Sequence, residues 1–288
     1  MGDATRIAGC KPAPKPPLLP LELEKEIFEI AARLYPGMAP VLMRVAHRVL
    51  VWIEPIVYET LIFRGEDPPP SLQLALKSKP ADFFPNNVRN LLLDHSEGAH
   101  HNQGLLLASC SGVRNLLLMA ARPFMLPHVM NMKLQRLHVD IQNLFDSLEI
   151  NFTQPFFANI THLDFWGYQG LETLSSPSGL SSLPELTHLK LYVLIRSVVC
   201  SFLSNCKKLR ILIAEAFITS LKAVSLAAAI DDLRFLLMAS GATTDDWIAG
   251  TRGERDPWAR ADIFVAKRRR GEIQPASRCW IEAADMIN

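Results

Sequence analysis

Leu186-Thr187-His188-Leu189-Lys190-Leu191 is one copy of an apolar pattern, L-x-x-L-x-L, that recurs between residues 88 and 238. The copies carry apolar residues at the first, fourth and sixth positions: Val88/Leu91/Leu93, Val113/Leu116/Leu118, Leu134/Leu137/Val139, Ile160/Leu163/Phe165, Leu186/Leu189/Leu191, Leu209/Leu212/Ala214 and Leu233/Leu236/Met238. The fourth positions, 91, 116, 137, 163, 189, 212 and 236, are 25, 21, 26, 26, 23 and 24 residues apart. Such regular spacing predicts a stack of similar structural units.

The last four residues of each copy alternate as in a β-strand that is buried on one face. In the copy quoted above, Leu189 and Leu191 point to one face, and His188 and Lys190 point to the other. One such strand cannot bury its apolar face alone, so the strands are expected to stack in parallel over a shared core. The period is typical of leucine-rich repeats, so the predicted fold class is an α/β leucine-rich-repeat solenoid of about seven repeats, with a parallel concave sheet and a helical or irregular convex side.

The segments between the repeats carry two further signals. Residues 196–206 and 221–230 have apolar side chains at helical spacing, which predicts helices on the convex side. Cys110 and Cys206 each precede a strand by three residues, which resembles the cysteine-containing class of leucine-rich repeats. We interpret both as small buried thiols that fill the turn from helix to strand.

Composition narrows the class of protein. The chain has 288 residues, 49% of them hydrophobic, so it is long enough to bury a large core. A net charge of +1 gives no general attraction to nucleic acid or to anionic membranes. The five cysteines form no C-x-x-C motif, which favours a reducing compartment. Without a secretory signal or a long apolar run, the protein is expected to be soluble and intracellular, in the cytoplasm, the nucleus or both.

The N-terminal region divides into an arm and a helical module. Residues 1–17 are rich in Pro and Lys and are predicted to be disordered. Residues 18–63 are predicted to form three short helices, the second beginning at Pro40 and the third at Pro55. The first helix carries one apolar stripe, made of Leu23, Ile27, Ile30, Ala31 and Leu34.

This module carries a recognisable set of residues: Leu19-Pro20-x-Glu22-Leu23-x-x-x-Ile27-Phe28, then Leu42-x-x-Val45-Ala46-His47-Arg48, then Trp52-Ile53-x-Pro55-x-Val57-Tyr58. The set resembles an F-box, in the divergent form found in large families of basidiomycete fungal proteins. The resemblance implies binding to a Skp-type adaptor and, through it, to the cullin of a ubiquitin ligase. The adaptor-binding residues that it implies are Leu19, Pro20, Leu23, Ile27, Phe28, Val45 and Trp52.

The rest of the chain follows in three parts. Residues 64–80 are predicted to be a Pro-rich linker and entry segment, and residues 81–242 the solenoid. Residues 243–288 are predicted to form a C-terminal cap and tail. Within them, Asp256 is placed as the N-cap of a helix that begins at Pro257 and ends near Arg269, with Trp258, Ala261, Phe264 and Val265 on one side. This helix is expected to cover the last repeat, because the ends of a solenoid expose its core.

The residues that flank the central leucine of each strand are expected to point to the concave face. In the three middle repeats they combine Arg, Trp and Tyr with mixed charge, types that are enriched at binding hot spots. The predicted partner-binding residues are Arg136, His138, Asp140, His162, Asp164, Trp166, His188, Lys190 and Tyr192. The alternative is an ordinary solvated sheet face. The three histidines make a zinc site geometrically conceivable, but we predict no metal, because polar residues in register are expected of any ligand-facing sheet.

Motifs of catalysis are not found in the sequence: it has no nucleophile elbow, Walker loop or dinucleotide fingerprint, so we predict neither an enzyme nor a cofactor. By resemblance, the expected function is that of an F-box-like substrate-recognition subunit of a cullin-RING ubiquitin ligase. Its N-terminal helices would bind the adaptor, and its concave sheet would bind an unidentified protein target. The alternative is an adaptor-independent interaction scaffold, in which these helices only cap the solenoid.

Overall fold

The computed structural model describes residues 19–65, 68–94, 100–147, 150–166, 179–192, 194–216, 221–239, 241 and 243–286. The chain divides into two compact units, residues 1–57 and residues 58–288. The predicted disordered arm, residues 1–17, lies outside the described residues.

Unit 1 is helical. It contains α1 (Leu21–Leu34), a 3-10 turn (Pro36–Met38), α2 (Ala39–Leu42) and α3 (His47–Val57). Glu22 and Glu24 lie in the first turn of α1, where their negative charge interacts favourably with the positive end of the helix dipole. Pro36 follows shortly after the last residue of α1 and does not continue the helix. The core of the unit consists of Ala32, Ala39, Val49 and Ile53, with Phe28 and Trp52 packed against it.

Two predictions about residues 18–63 need correction. Pro55 does not begin a third helix but lies inside α3, and the chain then enters a strand, β1 (Thr60–Arg64). The Thr-Leu-Ile-Phe sequence of this strand is rich in β-branched and aromatic residues, which favour a strand over a helix. The second unit therefore begins at Tyr58, ahead of the proline-rich segment where the boundary was predicted.

Unit 2 is built on a parallel sheet. In the described residues this sheet has eight strands in chain order, β1–β8. The seven strands after β1 are Asn90–Asp94, Asn115–Leu118, Arg136–Val139, His162–Phe165, His188–Leu191, Ile211–Ala216 and Phe235–Ala239. Register partners bring Leu91, Leu116, Leu137, Leu163, Leu189 and Leu212 into line across the sheet. The predicted α/β class and the parallel sheet at the repeated positions are confirmed.

Helices and turns connect these strands and follow the last of them. The helices are α4 (Pro70–Ser78), α5 (Phe83–Asn87), α6 (His100–Ser109), α7 (Leu126–Val129), α8 (Ile141–Phe145), α9 (Arg196–Asn205), α10 (Leu221–Ala228), α11 (Thr243–Thr251) and α12 (Pro257–Arg269). Further 3-10 turns are Pro123–Met125, Pro155–Phe157, Leu180–Ser182 and Ala283–Met286. The predicted helices at residues 196–206 and 221–230 are present as α9 and α10. No helix among the described residues is long and apolar enough to cross a membrane.

One face of the sheet, here called the core face, buries the leucines of the repeats against the connecting segments. Cys110 and Cys206 lie in the same core, as the sequence predicts for small buried thiols. Leu72 and Ala75 of α4 belong to it as well, so the segment predicted as a linker is part of the folded unit. The other face, here called the second face, carries the alternate residues of every strand.

The last repeat differs from prediction by one residue. Leu212 pairs with Phe235, and Phe235 and Leu237 lie in the core of the repeats, whereas Leu236 and Met238 belong to a separate cluster on the second face. Leu233, predicted as the first core position of this repeat, is 46% exposed. Shifting a strand by one residue exchanges its two faces, so the assignment of Leu233, Leu236 and Met238 to the core face is wrong.

Candidate interaction surfaces

Unit 1 exposes an apolar stripe on α1. Leu23, Ile27, Ile30 and Leu34 follow one another at helical spacing, and Ile27 and Leu34 are 54% and 67% exposed. The core of the unit uses the opposite side of the helix, through Phe28 and Ala32. Further large apolar residues are exposed nearby in the sequence: Leu19, Leu21, Tyr35, Met38, Val41 and Val45. Exposed apolar residues at this spacing make the stripe a candidate interaction surface.

The predicted adaptor-binding residues divide between this surface and the core. Leu19, Leu23, Ile27 and Val45 are exposed, as is Pro20, which precedes the first turn of α1. Phe28 and Trp52 are half-buried and pack on the core. Sequence analysis did not assign Ile30, Leu34 and Val41 to the site, although Ile30 and Leu34 continue the stripe that begins at Leu23.

The second face of the sheet is covered by the C-terminal segment of the chain. Arg64, at the end of β1, lies 3.8 Å from Asp245 of α11, and Asn115 of β3 accepts a hydrogen bond from the Trp247 indole at 3.0 Å. The expectation that this face is open to solvent is wrong, because His138, Asp164, His188 and Lys190 are all buried.

Over β7 and β8 the contact is apolar. Ala261, Phe264 and Val265 of α12 pack with four sheet residues: Ile211, Ile213, Leu236 and Met238. The helix has the predicted bounds, and the Asp256 side chain accepts a hydrogen bond from the Ala259 amide at 2.8 Å, as an N-cap does. The predicted cap thus lies on the second face of the last two strands, here called the apolar half.

Over β4–β6 the contact is polar, and this region is here called the polar half. Arg136 of β4 forms an ion pair with Asp256 at 3.0 Å, and His188 of β6 lies 3.3 Å from the Asp262 carboxylate. Beyond β6, the Tyr192 hydroxyl lies 3.3 Å from that of Thr243.

Two histidines lie at the centre of the polar half. The rings of His162 and His188 stack 4.1 Å apart and nearly parallel, and Trp258 meets both rings edge-on. Burial, the neighbouring His188 and Arg136 lower the pKa of His162 to about 2. Burial also lowers the pKa of His188, against the opposing effect of Asp262. Both rings are therefore neutral near pH 7, which allows them to stack.

Lys190 is buried in an ion-pair network. Its ammonium group lies 2.6 Å from the Glu215 carboxylate and 3.5 Å from Asp164, and it donates to the Tyr192 hydroxyl at 3.1 Å. Burial by itself would lower the pKa of Lys190, but Asp164, Tyr192 and Glu215 together raise it above its usual value. The Asp164 carboxylate also lies 2.6 Å from His138 Nδ1, so its contacts link β5 to the strands on both sides, β4 and β6.

A small cavity of about 40 Å³ lies between the polar half and the covering helices, lined by Arg136, His162, Asp164, Trp247, Asp256 and Trp258 among others. Such a volume holds a few water molecules. Among the described residues, no group of three or more His, Cys, Asp or Glu side chains is arranged to hold a metal ion.

The remaining predicted partner-binding residues have structural contacts. The Asp140 side chain accepts from the Asn143 amide at 3.0 Å and caps α8. Trp166 packs edge-on against His138, with ring centroids 4.3 Å apart. The structure thus brings eight of the nine residues to the polar half or its rim, and places Asp140 at a helix start.

The basic run Lys267–Arg270 is largely engaged within the chain. Arg268 is buried and donates to the carbonyl of Phe235 at 2.8 Å, and Lys267 donates to that of Asp285 at 2.8 Å. The run forms the last turn of α12, where basic side chains interact favourably with the helix dipole.

Comparison with models of protein families finds no match, and comparison with curated proteins finds none either.

Proposed function

We propose that this chain is an F-box-like substrate receptor with leucine-rich repeats, and that unit 1 binds a Skp-type adaptor of a cullin-RING ubiquitin ligase. The observation that carries the proposal is the exposed stripe Leu23-Ile27-Ile30-Leu34 on α1. An amphipathic helix normally turns its apolar stripe to a core, and this stripe is left for a partner. The motif residues Leu19, Leu23, Ile27 and Val45 are exposed as well.

The repeat assignment rests on independent support. Strands recur at steps of 21 to 26 residues between Leu91 and Leu212 in a parallel sheet whose order follows the chain. That combination of period and topology is typical of leucine-rich repeats. In such a receptor, the sheet unit would present the target to the ligase.

Binding of a purified Skp-type adaptor to the full chain tests the proposal. We expect Ile27→Asp to abolish the binding, because it places a charge at the centre of the exposed stripe. Glu26→Gln is the matched control: Glu26 is an exposed neighbour on α1 outside the stripe, and its loss of charge should leave binding within about twofold.

A wild-type chain that does not bind the adaptor would overturn the proposal and leave the adaptor-independent scaffold as the function. Equal binding by wild type and Ile27→Asp would remove the stripe from the adaptor interface.

A further inference from the structure

The second face of the sheet makes two different kinds of contact with the segment that covers it. In the apolar half, Phe264 and Val265 are buried against Ile213 and Leu236, as in a permanent core. In the polar half, the side chain of Asp262 is 47% exposed and that of Arg136 40%. Moreover, α11 contains no buried residue. Partly exposed ion pairs contribute little to stability, so this end of the cover is held less firmly than the apolar end.

The polar half matches its cover in chemistry and in spacing. Arg136 faces the carboxylate of Asp256, the stacked imidazoles of His162 and His188 meet the Trp258 ring, and His188 also meets Asp262. These contacts come from the N-cap, the second residue and the sixth residue of one helix, and Trp247 adds a contact to Asn115 on the neighbouring strand β3. Aromatic rings flanked by carboxylates are the features that this surface recognises.

We propose that the polar half is a binding site for a helical segment of a partner protein that carries an acidic residue at its N-cap, an aromatic residue two positions later and a carboxylate four positions after that. Residues 243–262 of this chain occupy the site as an internal competitor. The proposal deepens the proposed function, because it names the class of target that the sheet unit would receive.

Residues 243–262 compete with a partner helix because they stay attached to the chain after they leave the polar half. Phe264 and Val265 hold the C-terminal part of α12 in the apolar half. Residues 243–262 leave the polar half when the first turns of α12 unwind and Ala261 loses its contact, while the sheet stays folded. A tethered competitor acts at an effective concentration in the millimolar range, which sets the threshold that a partner helix must exceed. Weak local contacts of this kind open at a lower free energy than the core strands beneath them.

The test uses a labelled synthetic peptide with the sequence of residues 243–262, which includes the polar contacts and omits Phe264 and Val265. Its binding to two full-length chains is measured by fluorescence anisotropy: the wild type, and a loosened chain with Trp258→Ala and Asp262→Ala. We expect the peptide to bind the loosened chain at least tenfold more tightly, because the internal competitor of that chain is weakened.

Peptide variants test the pattern. Replacement of both Trp258 and Asp262 in the peptide should weaken binding to the loosened chain at least tenfold, because these side chains are the proposed anchors. Glu254→Ala removes a carboxylate of the same peptide that is exposed, and it should leave binding unchanged. Equal binding by all three peptides, or no binding to the loosened chain, overturns the proposal.

Amide hydrogen exchange in the unmodified chain provides a second readout that does not depend on how the loosened chain folds. Amides of α11 should exchange at least tenfold faster than those of β4–β6, and uniformly slow exchange would mean that the cover is permanent core. The adaptor experiment is independent of both, because the loosened chain keeps unit 1 unchanged. Adaptor binding without peptide binding overturns this proposal alone, and peptide binding without adaptor binding overturns the proposed function alone.

Discussion

Two helices, α1 and α12, each carry an apolar stripe, and the two stripes have opposite outcomes. On α1, Ile27 and Leu34 are exposed, whereas on α12, Phe264 and Val265 are buried against β7 and β8. Both patterns are plain in the sequence. A hydrophobic stripe indicates that a helix face needs a partner, but it does not say whether the partner lies in the same chain. For α12 the partner is the chain's own sheet, and for α1 we propose another protein.

Removal of the Phe264 ring should give the largest effect on stability. Phe264 is fully buried in the apolar half, so Phe264→Ala is expected to lower the free energy of unfolding of unit 2 by roughly 3 to 5 kcal/mol. Urea titration followed by circular dichroism measures this change. A variant that unfolds at the wild-type urea concentration would mean that α12 is not part of the core.

Lys190→Ala comes next, because it tests the polar half. Removal of the ammonium group leaves Asp164 and Glu215 buried without their shared cation, at an expected cost of roughly 3 kcal/mol. From the sequence alone this lysine was placed on a solvated or partner-facing surface, which would imply a small effect. Lys208→Ala, which breaks an exposed pair with Glu185, is the control and should change stability by less than about 0.5 kcal/mol. Similar values for the two variants would contradict the buried network.

Acidification should weaken the polar half. The folded pKa of His162 is about 2, whereas the unfolded chain binds this proton near pH 6.5. The unfolded chain therefore takes up a proton below pH 6.5 that the folded chain does not, so stability falls as the pH falls below 6.5. The loss amounts to about 2 kcal/mol at pH 5. The lowered pKa of His188 acts in the same direction. Urea titrations at pH 7 and pH 5 should differ less for His162→Gln than for wild type, and an equal difference would sink this assignment.

Ile27→Asp should have the smallest effect on stability. It tests whether the stripe of α1 is exposed while that of α12 is buried. Ile27 lies on the exposed side of α1, so the free energy of unfolding should change by less than about 0.5 kcal/mol. A loss of several kcal/mol would mean that the stripe is core, and loss of adaptor binding by this variant would then report misfolding.

The sequence predicted the parallel sheet because the alternation of Leu189 and Leu191 with His188 and Lys190 repeats along the chain. Two strands escaped this pattern. In β8, Phe235, Leu236, Leu237 and Met238 are consecutive apolar residues buried on both faces, so alternation could not fix the register. In β1, the apolar residues had been assigned to the preceding helical module.

The residues of the polar half were predicted from the sequence, but the C-terminal segment that covers them was not. Periodicity placed Arg136, His162 and His188 correctly in neighbouring strands. Their contacts with Asp256 and Asp262, which lie 120 and 74 positions away in the chain, leave no pattern in the local sequence. One signal was present: Leu92, Leu117, Ile211 and Ile213 are apolar at positions that point away from the core of the repeats. A sheet that is apolar on both faces is covered on both.

The end of the sheet at β8 is closed by the last part of the chain. The Leu237 amide donates to the carbonyl of Cys279 at 2.6 Å, and Trp280 forms a parallel bridge with Leu237. An exposed edge strand is a template on which a further strand adds, from the same protein or from another. Cys279 and Trp280 occupy part of that template, so fewer backbone groups of β8 are left for a further strand.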